Sequence, residues 1–150
     1  LPSISLVHTT VKGTNGMNTT PAERYQIILD QANKVIRTAQ RKAADIRQPI
    51  NLTVVDSSDT LTAFRRMDNV CTASIDISMT NATTVALFND WTTAPLYNSS
   101  QPLGGSLYGL EETNGGLIVV EGKLPILVKE GIFIGALGVS GGSVQQDVEV

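Results

Sequence analysis

Near its C-terminus the sequence has two apolar runs separated by only three residues, and this spacing constrains the fold more than any other feature. The runs are Pro125–Val128 and Ile132–Val139, with Lys129-Glu130-Gly131 between them. So short a connection joins antiparallel strands, because parallel strands need a crossover of a dozen or more residues. Gly131 can adopt the left-handed conformation that a tight turn requires. The sequence therefore predicts an antiparallel β-hairpin here.

A second hairpin is predicted upstream. Asn51–Val55 and Leu61–Met67 flank the polar turn Asp56-Ser57-Ser58-Asp59, whose short side chains can bond their own backbone. Leu117–Glu121 is predicted as a further strand. Five short strands joined by hairpins favour an antiparallel sheet, and separate helices must cover its faces. The predicted fold class is therefore α+β.

Helical patterns lie before, between and after these strands. The first begins with a capping box, in which two side chains near the helix start satisfy each other's backbone N–H groups. Apolar residues then recur at helical spacing as far as Ala43, and Pro49 ends the pattern. The capping residues are Thr20, Pro21 and Glu23, and two later helices are predicted to start at Ser74 and Ser143.

The polar residues 1–19 are predicted to form an N-terminal arm, and residues 20–150 a single domain. The net charge of −3 and the scattered basic residues disfavour nucleic acid as a partner. The longest nearly apolar run, Gly131–Val139, is far shorter than the ~20 residues of a membrane-spanning helix. Membrane insertion is therefore not expected.

One cysteine, Cys71, and one histidine, His8, limit the metal chemistry. They exclude an internal disulfide, a cysteine-based zinc site and a three-histidine centre. Either side chain could ligate a transition metal. The alternatives are an idle histidine in the arm and a buried or interface thiol.

Asn-x-Ser/Thr sequons occur four times, which is more than the one or two that chance predicts for this composition. Together with a first residue other than Met, they favour a secreted protein, and a cytoplasmic one is the alternative. Two of them fall at a predicted strand start and in a predicted helix, which are poor positions for a glycan. The sequons are at Asn18, Asn51, Asn81 and Asn98.

Three segments together resemble a known family. They are Val54–Leu61 running into Arg66-Met67-Asp68, then Ser74–Ser78, and Gly135–Gly142 followed by Gln146-Asp147. In order and spacing they are similar to the GlcG/HbpS-like family, also called the haem-degrading domain, and in particular to the PduO C-terminal branch. The resemblance implies a profilin-like fold with a five-stranded antiparallel sheet, and a homo-oligomer. It also implies binding of haem, or a role beside cobalamin metabolism or glycolate utilisation.

The sequence departs from the family pattern at three places. The turn after the first strand usually carries two glycines, and here it has Ser58 and Asp59. The second helix usually carries a lysine where this chain has Asn81. Haem binding of the PduO type uses a histidine in the first-helix region, and no histidine lies between Thr20 and Pro49. Haem coordination of that type therefore lacks its ligand.

The turn after the last strand is the principal candidate site. Ser140-Gly141-Gly142 follows a strand containing Gly138 and opens a helix, so its backbone N–H groups could bind a carboxylate, a haem propionate or a phosphate. Asp147 follows in that helix, and Leu124 and Pro125 are expected nearby. The alternative is that the glycines only permit a sharp turn and tight packing.

Three charged residues, Asp56, Arg66 and Asp68, flank the upstream hairpin. Arg66 could hold the carboxylate of a ligand bidentately. The alternative is a surface ion pair and a turn stabilised by Asp56. If the protein were an enzyme, Asp56 or Asp147 would be the general base.

Aromatic residues in the loop-rich middle could line an apolar pocket for a tetrapyrrole or anchor a subunit interface. These residues are Trp91, Tyr97 and Tyr108. The favoured function is a homo-oligomeric domain that binds haem, a related tetrapyrrole or a small anionic metabolite. The alternatives are an enzyme or enzyme accessory acting on a small oxygenated metabolite, and a secreted structural or host-interaction protein without a ligand.

Overall fold

The computed structural model describes residues 25–88, 93–120 and 123–150. Two short 3-10 turns, at Leu110–Glu112 and Lys129–Gly131, accompany the helices and strands. In chain order the elements are α1 (Leu29–Asp45), β1 (Asn51–Asp56), β2 (Leu61–Arg66), α2 (Ser74–Leu87), α3 (Thr93–Ser100), β3 (Lys123–Val128), β4 (Ile132–Ser140) and α4 (Val144–Glu149).

The strands form one antiparallel sheet in the order β2-β1-β4-β3. Both predicted hairpins are confirmed, since β1 pairs with β2 and β3 pairs with β4. Gly131 lies between β3 and β4 with a φ of 76°, the left-handed conformation expected of it. β1 also pairs with β4 along its whole length, from Asn51 opposite Ser140 to Asp56 opposite Gly135. The predicted α+β class with an antiparallel sheet is confirmed.

The prediction of five strands is wrong for the described residues, which contain a four-stranded sheet. In the segment predicted as the fifth strand, the backbone N–H groups bond to a neighbouring 3-10 turn and to α2 rather than to another strand. The N–H of Leu117 donates to the carbonyl of Glu111 at 2.9 Å, and the N–H of Ile118 donates to Thr84 Oγ1 at 3.3 Å. Residues 117–120 therefore belong to no strand, and Glu121 lies outside the described residues.

The first helix begins later than its sequence pattern predicts. The predicted capping box lies outside the described residues, and residues 25–28 are not helical. The N–H of Ile27 donates to the carbonyl of Ile134 at 2.9 Å, and Ser57 Oγ donates to the carbonyl of Tyr25 at 2.7 Å. These bonds hold the stretch against one end of the sheet, so α1 begins only after them.

α1 covers one face of the sheet with an apolar core. The helical spacing predicted from the sequence places its buried residues in a single stripe. Arg65 at the margin of this core donates from Nη1 to Gln40 Oε1 of the helix at 2.6 Å. The buried side chains of this core include Ala32, Ile36, Ala39 and Ala43 from α1, Leu52 and Val54 from β1, and Leu137 and Val139 from β4.

α2 covers the opposite face, and its contact with the sheet combines a small apolar cluster around Ala82, Val85 and Ala136 with a set of buried polar side chains. Asn51 Nδ2 donates to Ser74 Oγ at 2.9 Å, and the hydroxyls of Thr53 and Ser78 share a hydrogen bond of 2.9 Å. All four side chains are buried. Next to them, Asn81 Nδ2 donates to the carbonyl of Val139 at 3.1 Å. We call this set of bonds, made by Asn51, Thr53, Ser74, Ser78 and Asn81, the polar seam.

One residue of the β1–β2 turn, Asp59, has a backbone conformation that is unfavourable for a residue with a side chain. Asp59 has a φ of 61°, in the left-handed region where glycine is favoured. Its Oδ1 is buried without a hydrogen-bond partner. Burial raises the pKa of this carboxyl and the nearby Asp56 adds to the rise, although Thr83 donates a bond that opposes it. The left-handed conformation and the buried charge both destabilise the turn.

Asp59→Gly is expected to raise the free energy of unfolding by about 1 kcal/mol at pH 7, because glycine adopts this φ without strain. The folded-state pKa is raised, so wild type loses stability as pH rises from the unfolded value of 3.8 through the folded one. The gain should therefore be smaller near pH 3, which urea denaturation at both pH values would show. Asn69→Gly is the matched control, since Asn69 has a φ of 63° but is exposed. An equal gain in both variants at both pH values would contradict a role for the buried carboxyl.

Candidate functional site

The predicted turn links β4 to α4, and its polar groups bond to one another. Ser143 caps the helix: its Oγ accepts from the N–H of Gln146 at 3.3 Å, while Gln146 Oε1 accepts from the N–H of Ser143 at 2.9 Å. Gln48 Nε2 also donates to the carbonyl of Gly141 at 3.1 Å. α4 itself has six residues. The turn is thus held by side chains on both of its sides.

Asp147 of α4 bonds back to the backbone of the turn. It is buried, and its Oδ1 accepts from the N–H of Gly142 at 2.9 Å. Burial raises the pKa of this carboxyl, and bonds from the amides of Gly142 and Gly141 oppose the rise. The free amides expected at this turn are therefore not found: those of Gly142 and Ser143 already donate to Asp147 and Gln146. A ligand at Ser140–Gly142 stays a prediction.

Tight packing explains the glycines of this region. A Cβ on Gly138 would lie 1.9 Å from the carbonyl oxygen of Ser78 in α2, and one on Gly141 would lie 2.8 Å from the carbonyl oxygen of Pro49. Real Cβ atoms do not approach other atoms so closely. The alternative interpretation, in which these glycines permit close packing and a sharp turn, agrees with both distances.

Asp56 and Arg66 lie at opposite ends of β1. Arg66 is opposite Asn51 at the start of the strand, whereas Asp56 ends it, about 17 Å away at the usual rise per residue. Asp56 Oδ1 accepts from the N–H groups of Ser58 at 2.8 Å and Thr60 at 3.0 Å. Asp56 therefore stabilises the turn and does not pair with Arg66.

The sheet does bring Arg66 to the same end as the glycine turn. Asn51 has Arg66 as its neighbour in β2 and Ser140 as its neighbour in β4. Leu124 and Pro125 lie further along, opposite Leu137 and Ala136 in β4. Leu124 is 49% exposed. Of the residues predicted as a site, Arg66, Ser140, Gly141, Gly142 and Asp147 are at this end of the sheet, Gly138, Leu124 and Pro125 lie toward its middle, and Asp56 is at the far end.

Sequence analysis missed Lys123, the first residue of β3. Its side chain is 6% exposed, and Nζ donates to the carbonyl of Ile118. Burial lowers the pKa of this amine to about 7, so it is only partly protonated at neutral pH. A lysine before an apolar strand is usually exposed, and the sequence carries no signal for this burial. An amine with such a pKa has the proton affinity that general acids and bases need.

The stretch between α3 and the 3-10 turn at Leu110–Glu112 exposes aromatic and apolar side chains. Leu103 is 100% exposed and Tyr108 is 70% exposed. The N–H of Leu107 donates to the carbonyl of Ser99 at 2.8 Å, which folds the stretch back on α3. We call these three residues, together with the exposed Tyr97 of α3, the apolar loop surface; the three are Leu103, Leu107 and Tyr108. Exposed apolar groups in one stretch are typical of ligand or subunit contacts.

The remaining candidate ligands are dispersed. Cys71 is exposed. His8 and Trp91 lie outside the described residues. Within the ranges that the structure describes, no three His, Cys, Asp or Glu side chains cluster as a metal site would require. In those ranges, too, every helix is too short or too polar to cross a bilayer.

Comparison with known sequences gives a family and several relatives. The family model described as haem degrading protein HbpS-like matches residues 27–150. An uncharacterized 15.0 kDa protein from the dhaT-dhaS intergenic region of Citrobacter freundii is 39% identical over 122 residues, covering 81% of this chain and 84% of that protein. The corrinoid adenosyltransferase PduO of the same species is 32% identical over 120 residues. That match covers 80% of this chain but only 35% of PduO.

Two solved structures share the fold and part of the sequence. Protein ORFY of Klebsiella pneumoniae aligns with a TM-score of 0.77 and 33% identity, over 87% of this chain and 89% of that one. The PduOC:heme complex aligns with a TM-score of 0.74 and 30% identity, over 83% of this chain and 88% of that one.

Proposed function

The chain belongs to the family of haem degrading HbpS-like proteins, and on that premise we propose that it is a homo-oligomeric domain that binds haem or a related tetrapyrrole. The observation that carries this proposal is the similarity to PduOC, whose structure is a haem complex, at 30% identity over 83% of this chain. A small anionic metabolite is the other ligand class within the proposal. The profilin-like architecture that the family resemblance implies is part of it as well.

The apolar loop surface is the part of the described chain that best suits a porphyrin. Aromatic and aliphatic side chains pack well against a large flat ring, and Tyr108 and Leu103 are both exposed there. A phenol can also ligate haem iron, and Tyr97 and Tyr108 are the phenols of this surface. The described residues contain no histidine, so oxygen or sulfur ligation fits them better than imidazole ligation.

Secretion is part of the proposal, and it rests on sequons that differ in how far their asparagines are exposed. Asn51 is 0% exposed and Asn81 is 1% exposed, and both side chains donate hydrogen bonds in the polar seam. A glycan on either would prevent this packing. Asn98, on α3, is exposed and could carry one. Asn98→Gln in protein from a eukaryotic secretory pathway would test whether this sequon is used.

Haemin titration followed by the Soret band is expected to show saturable binding to the wild type. Leu103→Ser and Tyr108→Ala should each weaken binding about tenfold, because each removes an apolar contact worth about 1.4 kcal/mol. Leu29→Ser is the matched control, since Leu29 is also an exposed leucine but lies on α1. Tyr108→Phe tests iron ligation, since it keeps the ring and removes only the phenol oxygen.

A titration without saturable change in the Soret band would contradict haem binding. If Leu103→Ser and Leu29→Ser weakened haemin binding equally, the ligand would not bind at the apolar loop surface. Arg66→Gln and Asp147→Asn examine the turn predicted from the sequence: loss of binding in these variants alone would move the ligand to that end of the sheet. Light scattering on the eluting protein measures the subunit number, and a monomer at every concentration would contradict the homo-oligomer.

A further inference from the structure

The side chain of Lys123 lies between the sheet and α2. Lys123 is opposite Gly138 in β4, and cross-strand partners point to the same face of a sheet. The Cβ position of Gly138 faces α2, since it lies 1.9 Å from the carbonyl oxygen of Ser78. The lysine side chain therefore starts on the α2 side of the sheet, where it is buried.

Polar groups of α2 and of the stretch before β3 lie around this amine. Nζ of Lys123 donates to the carbonyl of Ile118, and the N–H of Ile118 donates to Thr84 Oγ1 of α2 at 3.3 Å. Asn81 precedes Thr84 by three residues and lies on the same side of the helix. Its Nδ2 donates at 3.1 Å to the carbonyl of Val139, next to the residue opposite Lys123. We call Asn81, Thr84, Ile118 and Lys123 the amine cluster.

The amine cluster contains a donor and an acceptor with unused bonding capacity. Asn81 is 1% exposed, and its Oδ1 is buried without a hydrogen-bond partner. Within the described residues, Nζ of Lys123 has the carbonyl of Ile118 as its partner, although an ammonium group has three donors. Buried polar atoms are normally satisfied, so the cluster has room in its bonding for one further small polar group.

The described elements around the cluster supply no counter-ion. β4 and residues 117–120 contain no charged side chain, and Lys123 is the only charged residue of β3. α2 contains only Asp76, which is exposed in its first turn. Burial therefore lowers the pKa of the amine to about 7. About half of the molecules then carry a neutral amine at pH 7, whose lone pair can attack an electrophile.

The amine cluster lies close to the protein surface. Val120 and Leu124, which flank Lys123 in sequence, are 38% and 49% exposed, whereas Lys123 itself is 6% exposed. Residues 117–120 belong to no strand. A molecule of two or three carbon atoms reaches the amine after a small local displacement of this stretch, whereas a ring system requires the stretch to detach.

We propose that Lys123 is a covalent binding site for short aldehydes, with Asn81 as the hydrogen-bond acceptor of the adduct. The nitrogen lone pair attacks the aldehyde carbon and forms a C–N bond, while the carbonyl oxygen takes one proton from the nitrogen and becomes a hydroxyl. This hydroxyl is the donor that Asn81 Oδ1 lacks. The hydroxyl then leaves with the second proton of the nitrogen as water, and a neutral C=N imine remains.

The lack of charged neighbours favours an aldehyde over carbon dioxide as the electrophile. A carbamate on Lys123 would bury an anion beside groups that carry no positive charge. The imine and its hydroxyl precursor are both neutral, so neither carries this penalty.

Reaction with acetaldehyde, followed by reduction with sodium borohydride, converts an imine into a stable N-ethyl-lysine that peptide mass spectrometry locates. An ordinary lysine is neutral in fewer than about one molecule in a thousand at pH 7. We therefore expect Lys123 to be labelled at least about tenfold faster than Lys34, an exposed lysine of α1. The rate at Lys123 should level off above about pH 8, whereas the rate at Lys34 should keep rising.

Asn81→Leu should slow labelling of Lys123 about fivefold, the effect of one lost hydrogen bond, and should leave the pH at which the rate levels off unchanged. Asn51→Leu is the matched control, since Asn51 is also a buried asparagine of the polar seam whose Oδ1 has no partner. Equal slowing in the two variants, or a shift of the pH profile toward that of Lys34, would overturn the role of Asn81.

The wild-type protein alone decides whether the site exists. Labelling of Lys123 that is absent, or no faster than that of Lys34, would overturn the proposal. Pyridoxal, a ring aldehyde, should label Lys34 and leave Lys123 unmodified. Equal labelling of both lysines by pyridoxal would show that the amine is open to solvent and would also overturn a site for short aldehydes.

Discussion

Gly138→Ala is expected to lower the free energy of unfolding by at least about 4 kcal/mol, the range reached only by severe packing defects. The added Cβ would lie 1.9 Å from the carbonyl oxygen of Ser78 and 2.7 Å from the N of Ala82. Both of those atoms are helix backbone, so no side-chain rotation can make room. α2 would have to move off the sheet, which would break the polar seam and expose the apolar residues beneath it.

The control for this variant is Gly115→Ala. Gly115 has a φ of 78° and open space around its Cβ position, so alanine there costs only the strain of a left-handed residue, about 1 kcal/mol. Urea denaturation of both variants separates the two effects. Similar losses in the two variants would mean that α2 yields easily and that the contact at Gly138 is not a constraint.

Lys123→Met is expected to stabilise the protein, and to do so in a pH-dependent way. The amine has a pKa of about 7 in the folded protein against 10.5 when unfolded. Below pH 7 both states carry the proton and the buried charge costs its full penalty; between pH 7 and 10.5 only the unfolded state carries it, so wild-type stability rises with pH. A shift of this size corresponds to at most about 5 kcal/mol, and loss of the bond to Ile118 returns about 1 kcal/mol of that.

The gain from Lys123→Met should therefore be about 2–4 kcal/mol at pH 6 and should shrink toward zero by pH 10. Denaturation curves at pH 6, 8 and 10 measure this slope. Lys34→Met serves as the control because Lys34 is an exposed lysine on α1, where the substitution should have little effect at any pH. A gain that is the same at pH 6 and pH 10 would show that Lys123 is charged and well solvated in the fold.

The parts of the fold with an apolar period could be predicted from sequence. α1 has a single buried stripe, and the two hairpins are bounded by turn residues, so both patterns have one structural solution. α2 is less predictable from sequence because its buried face includes Ser74, Ser78 and Asn81, which are polar residues of types that are mostly exposed. Their partners on β1 and β4 are distant in sequence, and only the folded chain pairs them.

The candidate site shows the same limit. The glycines after β4 were recognisable, and so was a capped helix after them, but the sequence could not show that Asp147 folds back to bind Gly142. The sequence also could not show that the side chain of Lys123 is buried. Lysine is almost always exposed, and its burial here depends on how distant segments pack in the folded chain. The departure at Asp59 was visible in the sequence, and its φ of 61° confirms that the position favours glycine.

The polar seam has a consequence for how the protein can move. Apolar contacts tolerate small displacements, whereas the 2.9 Å hydrogen bonds that join Asn51 to Ser74 and Thr53 to Ser78 require both partners at fixed positions. A slide of the helix by one turn would break every one of these bonds together and leave the groups buried without partners. α2, β1 and β4 are therefore expected to move together as one rigid body. A rearrangement of this protein is then confined to the segments outside these three elements.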